Sequence, residues 1–504
     1  MVFKSAQTIQ PSHQDLASYV LNHENYDASK EILIDVNNPR RVITLGMART
    51  LVQKLSSALP KRGLARNGTV CLHIFNDIMF PILFLGIVAA RGRFTGSNPA
   101  YTPTELCHHF KISETQFIIT QRAHLKPVKE AAEKAGVPLS NIILLETGEE
   151  ICPQPEKFTT VKELLQYEAE PWQSFTNEEE SNSTIVSLMS TSGTTGLPKM
   201  AARTHFSWIT ENQAIEDTVG KPYEVRRLLC VPFFHGFAAP LALFLALPEC
   251  EQAKLRSLKM VWCAGAALPY AQQEQAVRVL FSCNARLNQV WGMTEGGWIT
   301  TFHHPESDET GSVGRLNAGF EAKIVGEDGQ ELTEEGAIGE IVVRGLPIMI
   351  GYYGDADATK ETIDEEGWMK TGDVASIRDG KVYIVGRSKE IIKLRGWQVA
   401  PAELEGTLLS HDGITDAAVL GVQQEDQAYE VPRAYVVCKD NVKLSAEEVK
   451  TYLLKFLAKY KVGDCQIRFR DSIPKSSTGK TLRKQLVQEV HQEQGVEATT
   501  DNPV

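Results

Sequence analysis

The segment from Ser190 to Lys199 carries the kinds of group that bind a phosphate chain. It reads Ser-Thr-Ser-Gly-Thr-Thr-Gly-Leu-Pro-Lys and directly follows the apolar run 185–189. Glycine lets the backbone turn its N–H groups toward an anion, hydroxyls donate further hydrogen bonds, and a lysine adds a mobile positive charge. The segment, called the phosphate loop below, therefore predicts a triphosphate site.

The spacing within the phosphate loop differs from that of a Walker A loop. A Walker A loop needs four residues between its first glycine and Gly-Lys-Ser/Thr. Here Gly193 and Gly196 are three residues apart, and Pro198 precedes the lysine. The spacing disfavours kinases and GTPases of the Walker type. Composition alone also permits a solvated loop rich in serine, threonine and glycine.

Several motifs in one order make the chain similar to a known family, from about Arg41 to Lys484. Besides the phosphate loop, they are Trp291–Glu295, Thr371–Asp373 and Pro474–Lys480. The family is that of the adenylate-forming enzymes, which includes acyl-CoA synthetases, aryl-CoA ligases, firefly luciferase and the adenylation domains of peptide synthetases. The chain resembles the 4-coumarate-CoA ligase-like branch most. The resemblance implies ATP, Mg²⁺ and coenzyme A as cofactors.

The resemblance assigns a nucleotide site to several segments. Glu295 supplies the carboxylate that a hard Mg²⁺ prefers, Thr294 donates to the α-phosphate, and Trp291 stacks on adenine where relatives usually have tyrosine. Asp373 accepts from both ribose hydroxyls, and Arg387 contacts the same ribose. The residues assigned to cofactor binding are Thr191, Ser192, Gly193, Thr194, Thr195, Gly196, Lys199, Gly265, Ala266, Trp291, Gly292, Thr294, Asp373, Arg387, Lys389, Gln398 and Lys480.

The resemblance also implies a set of catalytic residues. Lys480 bridges the acyl carboxylate and the α-phosphate, where two anions must meet. Lys393 and Gln398 face the site after a small domain rotates about Lys389, and Thr294 completes the phosphate contacts. His235 matches the aromatic gate between the acyl pocket and the ATP site.

Each of these residue types also has a purely structural interpretation. Most lysines lie in solvent, and an aspartate beside glycine is commonly a turn residue. A tryptophan taken alone is more often part of a core, as is a histidine among phenylalanines such as His235. The functional interpretation depends on the order of the motifs along the chain.

The elements that position these residues follow from periodicity. Alternating strand-like and helical segments from Val42 to about Thr300, with helices at 106–111 and 127–134, predict an α/β fold of layered sheets. Short strands separated by glycines predict a β-rich subdomain at 311–386. The resemblance places a hinge at 386–389. We therefore predict a large N-terminal AMP-binding domain at 1–388 and a small, mobile α+β C-terminal domain at 389–504. Periodicity predicts a helix over 445–460 in the C-terminal domain.

Composition narrows the class of protein. The chain has 504 residues and a formal net charge of −11, which disfavours a nucleic-acid surface. Nine cysteines without a Cys-x-x-Cys pair indicate reduced thiols. The first residues resemble no secretory signal, and the last three are not a peroxisomal tripeptide, so a cytoplasmic location is predicted. The apolar stretch Leu228–Leu247 contains prolines, a histidine and a glycine, which disfavours a membrane span.

One part of the family pattern is missing. Between His235 and Gly265 the family has a strand-helix-strand unit, which needs about 30 or more residues. Here the segment 241–249 runs almost directly into 251–260. The sequence therefore predicts that the unit and one wall of the acyl pocket are absent.

The motifs together predict an ATP-dependent carboxylate-CoA ligase. A small-molecule carboxylic acid and ATP give acyl-AMP and pyrophosphate, and the thiol of coenzyme A then displaces AMP. Two alternatives stay open at this point. The acceptor could be an acyl carrier protein, because both acceptors present a pantetheine thiol. An inactive nucleotide-binding remnant is the other alternative, because of the missing unit.

Overall fold

A computed structural model describes residues 1–22, 26–146, 157–175, 177–191, 198–216, 221, 258–264, 273–274, 277–278, 285–394, 397–423, 430–475 and 481–493. The described strands are β1 (Phe3–Lys4), β2 (Glu31–Ile34), β3 (Val42–Thr44), β4 (Thr69–His73), β5 (Arg93–Gly96), β6 (Thr115–Thr120), β7 (Ile142–Leu144), β8 (Thr159–Thr160), β9 (Ile185–Ser190), β10 (Met200–Thr204), β11 (Met260–Cys263), β12 (Arg286–Gln289), β13 (Trp291–Met293), β14 (Gly297–Thr301), β15 (Arg315–Leu316), β16 (Phe320–Val325), β17 (Glu331–Leu332), β18 (Gly339–Gly345), β19 (Gly351–Tyr352), β20 (Met369–Arg378), β21 (Lys381–Arg387), β22 (Ile392–Leu394), β23 (Trp397–Val399), β24 (Ile414–Gln423), β25 (Glu430–Cys438) and β26 (Gln466–Phe469).

The described helices are α1 (Leu16–Leu21), α2 (Leu45–Lys61), α3 (Met79–Ala89), α4 (Pro103–Ile112), α5 (Leu125–Ala135), α6 (Val161–Leu164), α7 (Glu178–Ser183), α8 (His205–Ile215), α9 (Ala356–Thr362), α10 (Pro401–Leu409), α11 (Ala446–Leu453), α12 (Lys459–Val462) and α13 (Arg483–Glu493). Across the ranges given above, no helix combines the length and the apolar character that a bilayer crossing requires.

The first large sheet has eight strands in the order β19-β10-β9-β5-β4-β6-β7-β8. The strands from β9 through β5 and β4 to β8 run parallel, whereas β10 and β19 are antiparallel additions at one edge. Helices connect the parallel strands, and every residue of β4 is buried. Burial on both faces explains why the centre of β4, Val70–Leu72, has consecutive apolar residues and no apolar/polar alternation. The α/β fold class is confirmed.

Local sequence signals explain where the helices of this layer begin. At α4, Glu105 N donates to Thr102 Oγ1 (3.3 Å) and Thr102 N donates to Glu105 Oε2 (2.7 Å), which forms a capping box. At α8, Thr204 and Ser207 exchange the same pair of bonds. Helix α5 ends at Gly136, whose φ of +77° suits glycine. The helices predicted at 106–111 and 127–134 lie within α4 and α5, respectively.

The second large sheet has nine strands and is antiparallel throughout. Its order is β1-β16-β18-β20-β21-β15-β14-β13, with β17 paired to β16. The predicted β-rich region 311–386 supplies β15 to β18, β20 and nearly all of β21, whereas its β19 joins the first large sheet. The second sheet also includes β13, β14 and the N-terminal β1. Phe3 of β1 pairs with Ala322 and packs on the core of the sheet. The structural unit is therefore larger than the predicted subdomain.

The C-terminal part of the chain forms its own small core. Strands β24, β25 and β26 make a three-stranded sheet, β22 and β23 form a hairpin, and buried side chains of α10 and α11 pack with them. The pattern is α+β, as predicted. The helix predicted over 445–460 is wrong in extent, since α11 ends at Leu453 and α12 begins at Lys459. Ala458 between them is extended (ψ 144°), and both Leu453 and Val462 reach the core.

Candidate active site

The phosphate loop connects two antiparallel, paired strands. Strand β9 ends at Ser190 and β10 starts at Met200, and these two residues are register partners. At the base of the loop, Thr191 N donates to Lys199 O (2.9 Å) and Lys199 N donates to Thr191 Oγ1 (3.3 Å). A Walker A loop instead connects a strand to a helix. The topology thus separates this loop from Walker A loops, as its spacing does.

Lys199 lies at the mouth of the phosphate loop beside the segment that carries β19. Its Nζ is 3.4 Å from Asp355 Oδ2 and 5.3 Å from the centroid of the Tyr352 ring. Asp355 also caps α9 by accepting from Ala358 N at 2.9 Å. The side chains of Lys199 and Asp355 are 42% and 41% exposed, and exposed ion pairs of this kind are weak. Exchanging the contact of Lys199 with Asp355 for a contact with a phosphate therefore costs little free energy.

Glu295 occupies the turn between β13 and β14 and is buried. The Tyr352 hydroxyl donates to its Oε1 (2.9 Å), and Met349 N donates to its carbonyl oxygen (2.7 Å). Burial and the neighbouring Glu295 carboxylate raise the pKa of Tyr352, so the phenol stays protonated and remains a donor. The phenol holds one carboxylate oxygen in a fixed direction. Mg²⁺ is commonly bound by one or two carboxylates plus substrate phosphates, and this buried carboxylate fits that role.

A buried ion pair binds residues next to the turn that carries Glu295. Arg203 Nη1 donates to Glu211 Oε2 (2.7 Å), and Arg203 Nη2 donates to Pro347 O (2.9 Å). Glu211 Oε1 accepts from Trp298 N at 2.9 Å. Gly297 has a φ of +68°, and a Cβ there would lie 2.6 Å from the Glu211 carboxyl carbon, so the turn requires glycine. The pair thus links α8 to β14 and to the segment that contains Pro347 and Tyr352, the two parts of the chain next to Glu295.

A second cluster brings together three residues predicted to bind the nucleoside. Trp291 Nε1 donates to Asp373 Oδ2 (2.8 Å), and Arg387 Nε lies 2.8 Å from Asp373 Oδ1. Asp373 and Arg387 face each other across β20 and β21. Burial raises the pKa of Asp373, and the Arg387 guanidinium opposes that shift. The three side chains form a fixed group on the second large sheet.

The other residues of 291–295 that were predicted to bind the cofactor are Gly292 and Thr294. Gly292 is exposed, and a Cβ there would lie 2.2 Å from Gly297 O, so its small size serves the close approach of β13 to β14. Thr294 is half-buried between Gly292 and Glu295. The residues from Trp291 to Glu295 therefore connect the nucleoside cluster to the carboxylate turn.

Two predicted residues of the small domain lie opposite each other on a β-hairpin. Lys393 in β22 and Gln398 in β23 are register partners, and the Lys393 side chain is 72% exposed, with Nζ 3.8 Å from Glu327 Oε1. Lys389 is exposed in a short 3-10 turn, Ser388–Glu390, that follows β21. The structure thus brings Lys393 and Gln398 together and places Lys389 between the second large sheet and the small domain.

Part of the predicted site falls outside the described ranges. The residues concerned are Ser192, Gly193, Thr194, Thr195, Gly196, His235, Gly265, Ala266 and Lys480, together with the side chain of Gln398. The base of the Lys480 loop is described: Lys475 and Thr481 form a β-bridge, and Leu482 N donates to Pro474 O (2.8 Å). Arg483, three residues after Lys480, pairs with Glu390 and Glu405 (2.9 and 2.7 Å).

Four residues of this arrangement were not predicted from sequence: Arg203, Glu211, Tyr352 and Asp355. Tyr352 and Asp355 lie within a glycine-rich turn signal, Gly-Tyr-Tyr-Gly-Asp, that could have marked them. Nothing in the local pattern distinguishes Arg203 and Glu211 from surface charges, because the other groups that they bind, Pro347 O and Trp298 N, lie 144 and 87 residues away along the chain.

We expect Tyr352→Phe to raise the Mg²⁺ concentration that gives half-maximal activity by roughly tenfold, because a hydrogen bond to a charged group contributes about 1.5 kcal/mol. Tyr353→Phe is the matched control, since the Tyr353 hydroxyl binds the exposed Glu114 (2.6 Å). Mg²⁺ titrations of pyrophosphate release would measure both. Identical Mg²⁺ requirements in the two variants would contradict the role of Tyr352.

Comparisons with known proteins place the chain among AMP-binding enzymes. The model of the AMP-binding enzyme family matches residues 22–249 and 241–353, and that of the AMP-binding enzyme C-terminal domain matches 403–480. Phenylacetyl-CoA ligase epaB of Aspergillus niger is 37% identical, over 96% of this chain and 98% of the relative. 4-Coumarate–CoA ligase 1 of Arabidopsis thaliana is 32% identical, over 94% of this chain and 92% of the relative.

A solved structure shares the fold at low sequence identity. The anthranilate CoA ligase AuaEII, crystallised with anthranoyl-AMP, superposes with a TM-score of 0.83 at 21% identity, covering 97% of this chain and 99% of that one.

The alignments also bear on the missing unit. The alignment with epaB runs over 534 positions against the 504 residues of this chain, so at least 30 positions of the relative have no counterpart here. The two stretches matched by the family model meet at residues 241–249. Both observations agree with a shortening between His235 and Gly265, a region that lies almost entirely outside the described residues.

Proposed function

The chain belongs to the AMP-binding enzyme family, and from that premise we propose that it is an ATP-dependent carboxylate–CoA ligase. It forms an acyl-AMP and pyrophosphate from a carboxylic acid and ATP, and then an acyl-CoA and AMP. Relatives of 37% and 32% identity that span nearly the whole chain bear the names of CoA ligases.

The main observation behind this proposal is that residues 291–295 connect the group around Asp373 to the group around Glu295. At one end, Trp291 contacts the Asp373–Arg387 pair, which suits a nucleoside. At the other end, Glu295 contacts Tyr352, whose ring lies beside Lys199 of the phosphate loop. A nucleoside triphosphate lying along this segment would meet hydrogen-bond acceptors at its ribose and cationic and metal-binding groups at its phosphates.

The first half-reaction needs charge neutralisation more than covalent chemistry. A carboxylate oxygen of the acid attacks the α-phosphorus, and the bond to the bridging oxygen of pyrophosphate breaks. Lys199 neutralises the phosphate chain and Lys480 neutralises the meeting anions. Glu295, held by Tyr352, would be the protein ligand of Mg²⁺, which when bound offsets the charge of the phosphates.

The second half-reaction uses two other residues of the small domain, Lys393 and Gln398. The thiol sulfur of coenzyme A bonds to the acyl carbon, and the bond to AMP breaks. Lys393 and Gln398 are adjacent on the β22–β23 hairpin, so one rotation about Lys389 brings both to the site together. We accordingly propose that the boundary between the two domains lies between residues 388 and 389.

The substrate acid and the compartment belong to the same proposal. The names of the relatives, a phenylacetyl-CoA ligase and a 4-coumarate–CoA ligase, favour an aromatic or arylacetic acid. Coenzyme A is the proposed acceptor, and a carrier protein is the alternative. Cys71, Cys107, Cys263, Cys438 and Cys465 are free thiols, which supports a cytoplasmic location.

The test is ATP–pyrophosphate exchange with a panel of cinnamic, benzoic, phenylacetic and medium-chain acids, followed by mass spectrometry of the products. We expect at least one acid to support exchange and to yield a CoA thioester. Thioester formation only on a holo-carrier protein would identify the carrier-loading alternative. If no acid supports exchange or an acyl-AMP, the chain is an inactive nucleotide-binding remnant.

A further inference from the structure

Trp291 is anchored along its backbone as well as through its ring. It is 8% exposed, it pairs with Thr300 of β14, and its N–H donates to Thr300 Oγ1 (3.2 Å). The Thr300 hydroxyl in turn donates to Val313 O at 2.6 Å. Since Gly292 admits no Cβ against Gly297 O, the next residue is fixed as well. The indole therefore approaches Asp373 from a rigid strand.

The bond between Trp291 and Asp373 has a fixed direction. An indole N–H only donates, whereas the phenol of a tyrosine both donates and accepts. Asp373 is 4% exposed and must accept at Oδ2 from Trp291 and at Oδ1 from Arg387. Both partners therefore favour the ionised carboxylate against the effect of burial.

The remaining acceptor capacity of Asp373 matches a vicinal diol. An ionised carboxylate has about four lone-pair sites, two on each oxygen. With Trp291 on one oxygen and Arg387 on the other, each oxygen keeps one site, and the plane of the carboxylate is set by two donors at 2.8 Å. Two hydroxyls on adjacent carbons, as in ribose, can occupy these two sites at once.

We propose that Trp291 acts as a positioning residue that makes Asp373 selective for ribose over 2′-deoxyribose. The inference rests on the proposed function, because it requires that Asp373 meets the ribose of ATP. It assigns to Trp291 an action through its N–H in addition to the packing of its ring. A sugar lacking the 2′-hydroxyl leaves one oriented acceptor site of a buried carboxylate unpaired, which a protein site discriminates against.

The experiment compares kcat/KM for ATP and 2′-dATP in pyrophosphate release, with an acid that the wild-type enzyme activates. We expect the wild type to prefer ATP by roughly tenfold or more, and Trp291→Phe to lose most of that preference through a higher KM for ATP. Trp368→Phe is the matched control, because Trp368 is equally buried beside the same sheet but packs against Lys323 and Arg344. It should keep the wild-type ratio.

The outcomes separate the inference from the proposed function. If Trp291 had a purely structural role, its substitution would lower activity with both nucleotides equally. A folded Trp291→Phe with an unchanged ratio of kcat/KM for ATP and 2′-dATP therefore overturns the inference, while the ligase assignment stands. If Trp291→Phe does not fold, Trp291→Tyr replaces it: its phenol both donates and accepts, so the preference for ATP should fall, and an unchanged ratio overturns the inference. Equal use of ATP and 2′-dATP by the wild type also overturns it. A wild type that activates no acid with ATP refutes the proposed function itself.

Discussion

Lys480→Ala is expected to lower the rate of acyl-adenylate formation by about 10²- to 10³-fold, which is the typical effect of removing a preorganised charge at a developing anion. The reason is that the acyl carboxylate and the α-phosphate approach each other as two anions. Thioester formation from supplied acyl-AMP involves no such encounter and should be spared. Pyrophosphate exchange and thioester synthesis, assayed separately, measure the two half-reactions.

Lys475→Ala is the matched control for this variant. Lys475 lies at the base of the same loop, but its Nζ is engaged by Asp416 Oδ2 at 2.7 Å. We expect Lys475→Ala to retain adenylate formation. An equal fall of both half-reactions in Lys480→Ala, or an equal loss of adenylate formation in the control, would contradict the assigned role.

Arg203→Met is expected to destabilise the protein by about 3–5 kcal/mol, because it leaves the Glu211 carboxylate buried without its cation. The two side chains are 5% and 11% exposed, so water screens the pair little. Glu211 also accepts from Trp298 N, and strain there would reach the turn that carries Glu295. Thermal and urea unfolding, together with pyrophosphate exchange, measure the effect.

Two further variants complete this experiment. Arg203→Met/Glu211→Leu removes both charges and should recover a large part of the lost stability, since replacing a whole buried pair by apolar groups is often neutral. Lys134→Met removes a partner of the exposed pair Lys134–Glu130 and should change little. A single variant Arg203→Met as stable as Lys134→Met would show that the buried pair does not stabilise the fold.

Local pattern was sufficient for many elements of the fold. The alternation of strands and helices predicted the α/β layer, and the capping signals at Thr102 and Thr204 mark helix starts. Periodicity failed at α11 and α12, because the backbone break at Ala458 leaves apolar residues on both sides and so does not disturb the pattern. It also gave no indication that β1, more than 300 residues before Ala322, completes the second large sheet.

The sequence by itself determined the chemistry that the site offers, because the residue types of the phosphate loop, of Trp291–Glu295 and of Thr371–Asp373 are local and ordered along the chain. Only the tertiary structure decided how these groups are held. Trp291 meets Asp373 across 82 residues, and Tyr352 meets Glu295 across 57. Sequence spacing sets which neighbours share a strand or a helix face, whereas contacts between distant segments depend on how sheets pack, which no local pattern encodes.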